Sequence, residues 1–299
     1  MFGKHAYLIM AHNQPEHLKK LLCVLDNERN DIFIHIDKKS SMNKKLFLDV
    51  CQKSKVFLTN QINVYWGGWT QIEAELILLE SAVSKGKYQY YHLLTGGDFP
   101  LKKQSEILQF FDEHDGENFI SINEVKSTKY LDRVKYYYFL QDHEKNLFIK
   151  ACGKLQVICQ RIVGVDRTKE YSKIKKWGIG SAYFDITYEI AKYVVSKKDE
   201  IREVFKDTFC ADEIFLQTLI LNSDIYRGLK LYKTNKNHPY IQETYLNVLR
   251  AIDWTRGIPY TWKNEDYNIL MESDCFFARK FDCINSPEIV ETLYNIVKE

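Results

Sequence analysis

Strand and helix signals alternate along the first 120 or so residues, and that alternation restricts this chain more than any other feature. Residues 5–11 (HAYLIMA) form an unbroken apolar run, the pattern of a strand buried on both faces. The turn HNQP follows, and Pro15 suits a first helical turn. Leu18, Leu21, Leu22 and Leu25 predict a helix over 16–25 with one apolar face. Residues 31–37 (DIFIHID) predict a second buried strand, 44–53 a short helix and 56–59 a third strand. Ile72, Leu76, Leu79 and Val83 keep step in a helix over 69–84. A strand over 88–94 runs into the turn Thr95-Gly96-Gly97-Asp98; a helix over 105–111 and a strand over 118–122 follow. This order implies an α/β fold, a mostly parallel central sheet flanked by helices. Such sheets bind ligands beyond the carboxyl ends of their strands. The loops starting at His12, Asp37, Val64 and Thr95 therefore matter most.

The second half is less regular. Residues 126–176 are basic and Tyr-rich, with a helix over 148–163. A strand over 180–186, a helix over 187–196 and, after a loop at 207–211, a helix over 212–221 come next. Strands are expected over 229–234 and 247–253, and a helix over 265–272 with Asn264 as its cap. The last helix spans 286–297, with Pro287 in its first turn. No Pro/Gly/Ser linker, repeat or low-complexity stretch divides the chain, so 1–299 reads as one domain. Its halves are a nucleotide-binding part, 1–122, and an acceptor-binding and catalytic part, 123–299.

Composition removes several classes of function. With 42 Lys and Arg against 40 Asp and Glu, the chain lacks the basic excess of a nucleic-acid binder. No apolar run approaches the ~20 residues of a transmembrane helix, and the N-terminus lacks a signal-peptide layout. The seven Cys form no C-x-x-C pair, so they read as reduced thiols rather than zinc ligands. The many aromatic residues suit either sugar and base stacking or core packing.

No phosphate-binding fingerprint follows the first strand, which weakens the dehydrogenase and P-loop readings. Asp37 ends the second strand, where it either binds a ribose hydroxyl or uracil N–H, or caps its own turn. The loop TGGDFP offers a single acid, Asp98, a poor divalent-cation site. A diphosphate would then need side-chain cations, and Arg279 and Lys280 in FFARKF supply them. Asp212 and Glu213 precede an apolar run, either as ordinary helix-start charge or as a general base for a weakly nucleophilic sugar hydroxyl.

Eight segments, in order, carry a resemblance: AYLIMAHNQPEHLKKLL, FIHIDKKS, VYWGGWTQIEAELILL, YYHLLTGGDFPLKKQSEI, GSAYFDITYEIAKYVV, FCADEIFLQTLI, LRAIDW and ESDCFFARKFD. Together they resemble the family-14 glycosyltransferases, the core-2/I-branching β-1,6-N-acetylglucosaminyltransferases and peptide O-xylosyltransferases. The resemblance implies a GT-A-like nucleotide-sugar transferase, inverting and metal-independent, with no cofactor beyond its UDP-sugar substrate. It implies Glu213 as catalytic base and Arg250 with Lys280 on the UDP diphosphate. It implies His12 and Asp37 at the nucleoside with Trp66 beside them, and Arg133 in the acceptor region. The donor is expected to be UDP-N-acetylglucosamine, or second UDP-xylose, and the acceptor a glycan hydroxyl. The chain lacks the stem, anchor and disulfide cysteines of animal members. A bacterial cytoplasmic enzyme is therefore expected, with contact at the inner face of a membrane but no span through it. The rival reading is a non-catalytic nucleotide- or glycan-binding protein on the same fold.

Overall fold

The computed structural model describes residues 3–143 and 146–299. Met1 and Phe2 of the N-terminal patch, and residues 144–145 of the basic stretch, lie outside the described residues. The strands are β1 (His5–Ala11), β2 (Asn30–Ile36), β3 (Lys55–Leu58), β4 (Tyr90–Thr95) and β5 (Phe99–Pro100). They continue with β6 (Asn123–Glu124), β7 (Gly178–Ile179), β8 (Asp185–Thr187), β9 (Arg250–Ile252) and β10 (Phe277–Arg279). The α-helices are α1 (Pro15–Leu25), α2 (Trp69–Lys85), α3 (Gln104–Glu113), α4 (Thr128–Lys135) and α5 (Leu147–Val163). After these come α6 (Tyr188–Ser196), α7 (Lys198–Phe205), α8 (Phe215–Leu221), α9 (Glu243–Leu246), α10 (Tyr267–Glu272) and α11 (Pro287–Val297).

The main sheet has the order β3-β2-β1-β4-β8. Its first four strands are parallel, and β8 closes the edge antiparallel to β4. Alternation within β1 explains its apolar run. Tyr7, Ile9 and Ala11 face one core layer with α1, α3 and α11. Ala6 and Leu8 face the opposite layer with α2, α6, α7 and α8. Leu18, Leu21, Leu22 and Leu25 of α1 are fully buried, each worth about 1.5–3 kcal/mol of burial. The chain leaves β1 toward β2 on one side and later returns to β4 on the other. That reversal opens a crevice at the carboxyl ends of β1 and β4, the standard ligand position in open α/β sheets. A second sheet, β5-β10-β9, packs beside it and delivers the FARKFD segment to the same rim.

The differences from the expected elements lie where the chain bends to build that rim. Residues 44–53 supply only a 3₁₀ turn, Lys44–Phe47. The expected strand over 118–122 reduces to bridges at Asn118 and Phe119, and that over 229–234 to a bridge at Leu231. Residues 180–184 are a loop between β7 and β8, not a strand. Gly180 passes so near Ser121 that a Cβ would sit 1.7 Å from its carbonyl oxygen, so only glycine fits. The expected helix over 212–221 splits into a 3₁₀ turn, Ala211–Glu213, and α8. Helices α4 and α7 were not expected; charged side chains on their exposed faces mask a short apolar stripe.

Candidate active site

Three strand-end turns meet at the crevice. The amide of Gly96 bonds to the carbonyl of Met10 at 2.8 Å, and that of Asp37 to Ala11 at 2.9 Å, which levels the three turns. Buried His17 of α1 ties them to the FARKFD segment, lying 2.9 Å from the Asp98 carbonyl and 3.1 Å from Cys283 Sγ. Gln14 adds a bond from the Cys283 amide at 2.8 Å. The sequence reading missed His17, because within α1 it looks like one more position on the buried leucine face.

His12 is exposed at this rim. Partial desolvation, with Lys280, Arg279 and Lys39 nearby, holds its pKa below the usual value, against the pull of Asp37. Asp37 is buried and occupied: one oxygen accepts the Lys39 amide at 2.9 Å, and the other lies 3.1 Å from the Lys39 ammonium. Its turn-capping alternative is thus realised locally, in a place where it also adjoins His12. Asp98 is likewise occupied, by the amide and hydroxyl of Thr95 at 2.8 Å each, and Arg279 Nε stands 3.6 Å away. The Lys280 stem runs over Gly97, and Lys280 makes no ion pair among the described residues. No three His, Cys, Asp or Glu side chains converge as a metal site among the described residues.

Arg250, which the resemblance implies on the diphosphate with Lys280, has a different setting. It does not share the rim with Lys280 but lies inside the molecule, 1% exposed. Nη1 and Nη2 donate to the two oxygens of Asp185 at 3.0 and 2.7 Å, and to the carbonyls of Val248 and Leu93. Burial pushes the Asp185 carboxyl up, but Arg250 and His92 overrule it and hold it below the usual range. His92 Nδ1 is 2.8 Å from Asp185, and its Nε2 is 2.9 Å from His5 Nδ1, so the network crosses the sheet. The cation beside Lys280 is Arg279, whose guanidinium lies 5.3 Å from the Tyr183 ring.

Glu213 stands on the 3₁₀ turn where α2, α4 and α8 converge. Arg133 Nη1 donates to Glu213 Oε2 at 2.6 Å and to the Cys210 carbonyl at 3.3 Å. Glu213 Oε1 has no hydrogen-bond partner among the described residues. The loop over 180–184 joins the two clusters. The amide of Gly180 bonds to the Glu213 carbonyl at 3.0 Å, and Tyr183 reaches Arg279. Trp66 is 67% exposed and sits edge-on to Phe209, on the Glu213 side; Tyr65 next to it stacks on the Lys39 ammonium near Asp37.

Asp212, on the same turn, lies near α2, where its charge acts on Glu75. In a 3₁₀ turn successive side chains diverge by about 120°. Burial, then the Glu213 charge, pushes its carboxyl up to about 7. Glu75 beneath it is raised well above the usual range, by burial and then Asp212. Between pH ~4 and ~7 the folded state holds a proton on Asp212 that the unfolded chain releases, so stability falls as pH rises through this window. One such group contributes at most about 1.4 kcal/mol per pH unit. Asp212→Asn should therefore gain on the parent protein when melts move from pH 5 to pH 8; a pH-independent difference would show that Asp212 does not titrate there.

The comparisons with known proteins agree with the segment pattern. Residues 5–275 match the sequence model of a family described as Core-2/I-Branching enzyme. Xylosyltransferase 2 of Rattus norvegicus is 23% identical over 96% of this chain and 33% of that protein. A beta-1,3-galactosyl-O-glycosyl-glycoprotein beta-1,6-N-acetylglucosaminyltransferase of Bos taurus is 25% identical over 93% of this chain and 65% of that protein. The chain thus spans a third of the first relative's length and just under two thirds of the second's. These animal relatives correct the expectation of a bacterial cytoplasmic enzyme. That expectation leaned on a missing anchor and missing disulfide cysteines, which a chain matching only part of its relatives cannot establish. No helix among the described residues is long and apolar enough to cross a membrane.

Proposed function

Because the chain belongs to the Core-2/I-Branching enzyme family, we propose that it is a glycosyltransferase moving a sugar from a UDP-sugar to a glycan hydroxyl, with inversion and without a metal. The sugar is N-acetylglucosamine, or second xylose, and the fold is GT-A-like. The observation that carries this reading is the pairing of an anchored carboxylate, Glu213, with a cationic rim, Arg279 and Lys280, across one short loop. Arg133 holds Oε2, which leaves Oε1 to take the acceptor proton. The hydroxyl oxygen attacks the anomeric carbon from the face opposite UDP, through a transition state of oxocarbenium character. The bond to the diphosphate breaks, and the leaving charge is met by Lys280 and Arg279. Asp37 and His12 serve the nucleoside, with Trp66 near the sugar and acceptor.

The test is a UDP-release assay across a panel of UDP-sugars, with and without EDTA. Release is expected with one or two donors and unchanged by chelation; strict dependence on Mn²⁺ or Mg²⁺ sinks the metal-free reading. UDP binding without release from any donor favours a non-catalytic binding protein. In calorimetric titration, Lys280→Ala and Arg279→Ala should each weaken UDP binding by about 1.5–3 kcal/mol. Unchanged affinity in both would put the diphosphate elsewhere.

A further inference from the structure

Helix α5 (Leu147–Val163) is built inside out. Every other α-helix among the described residues buries at least one side chain, whereas none of its 17 residues is buried. At about 100° per residue, Ile149, Cys152, Gln156 and Gln160 share the face turned to the body. The two glutamines fasten it there. Gln156 Nε2 and Gln160 Nε2 donate to the Tyr137 carbonyl at 2.6 and 2.8 Å, and Gln160 Oε1 accepts the Tyr137 amide at 2.8 Å. The outward face is the apolar one. Leu147, Leu155, Ile158 and Ile162 fall within an arc of about 80°, with Phe148 at its edge. Their exposures run from 51% for Ile158 to 85% for Leu147.

The charge of the helix runs one way. Lys150, Lys154 and Arg161 line one flank of the apolar stripe, and the helix holds no Asp or Glu. Arg161 pairs with Asp132, while Lys150 and Lys154 make no ion pair among the described residues. Residues 147–176 hold eight Lys and Arg against two acids, in a chain whose net charge is only +2. An apolar stripe flanked by unpaired cations complements the acyl boundary and anionic headgroups of a bilayer. A second copy meets this face poorly, because the helix has no acid to answer the same lysines. We propose that α5 is an interfacial helix that seats this protein on an anionic lipid surface.

Vesicle flotation with the full chain tests this. The probes are phosphatidylcholine vesicles and vesicles with about 30% phosphatidylserine. Binding is expected to the anionic vesicles and to fall with added salt. Lys150→Glu/Lys154→Glu should lose about 30-fold or more of that binding, given roughly a tenfold factor or less per surface lysine. Leu155→Asp/Ile162→Asp should lose more than about 100-fold, since two large apolar side chains leave the bilayer boundary. Both variants change exposed positions, so their thermal melts should match the parent protein. Three results overturn the proposal: no binding to anionic vesicles, equal binding to neutral ones, or binding that survives either variant. A fourth is a stable dimer in sedimentation that Leu155→Asp/Ile162→Asp converts to monomer, which would assign the face to a second copy.

Discussion

Glu213→Gln is expected to retain UDP-sugar binding while transfer falls by about 10²–10⁴-fold, the usual worth of general acid–base catalysis. The amide keeps the shape of the side chain but cannot take the acceptor proton. The surrounding groups make the result interpretable. Arg133 anchors one oxygen of Glu213, whereas Asp212 makes no ion pair among the described residues and its charge acts on Glu75. Asp212→Asn should therefore leave transfer near the parent rate and act on stability instead. Rates at saturating donor, with folding checked by melts, separate the two carboxylates. A dead Asp212 variant beside an active Glu213 variant would move the base by one residue. Full activity in both would leave the proposed reaction without its base.

Arg250→Ala is expected to destabilise the fold by about 3–5 kcal/mol, the cost of leaving a buried charge without its partner. The charge left behind is Asp185, fully buried and then held, among the described residues, by His92. Arg250→Ala/Asp185→Asn should recover part of the loss, because no unpaired carboxylate remains. Denaturant midpoints measure this, and UDP titration on the folded fraction should show affinity close to the parent value. The opposite pattern, an unchanged midpoint with UDP binding weakened tenfold or more, would return Arg250 to the diphosphate and overturn the packing role.

Much of the architecture was legible in the sequence because the sheet is buried on both faces. A strand such as His5–Ala11 must then be apolar throughout, and helices such as Pro15–Leu25 and Pro287–Val297 announce themselves by a proline at the first turn and an apolar stripe. Parallel strand order also located the candidate loops, since His12, Asp37 and the TGGD turn all leave the carboxyl ends of adjoining strands. The short elements near the rim were harder. Loop 180–184 and the 3₁₀ turn at Ala211–Glu213 are shaped by close backbone approach, as at Gly180 against Ser121, which no local periodicity records.

The chain's own residue order thus determined the layered α/β fold, its family segments, the lone acid of TGGDFP and the presence of cations near its end. Tertiary structure alone decided what each charge meets. Arg250 and Arg279 stand 29 residues apart on neighbouring strands β9 and β10, yet one is spent on Asp185 in the core and the other faces the crevice. Asp212 and Glu213 are adjacent in sequence, yet Glu213 is hydrogen-bonded to Arg133 while the Asp212 charge acts on buried Glu75. Helix Leu147–Val163 has the amphipathic pattern of a core helix, yet its glutamines face the protein and its leucines do not. The physical reason is the same in each case. A sequence fixes which side chains are apolar or charged, but desolvation and pairing depend on partners brought from dozens of residues away.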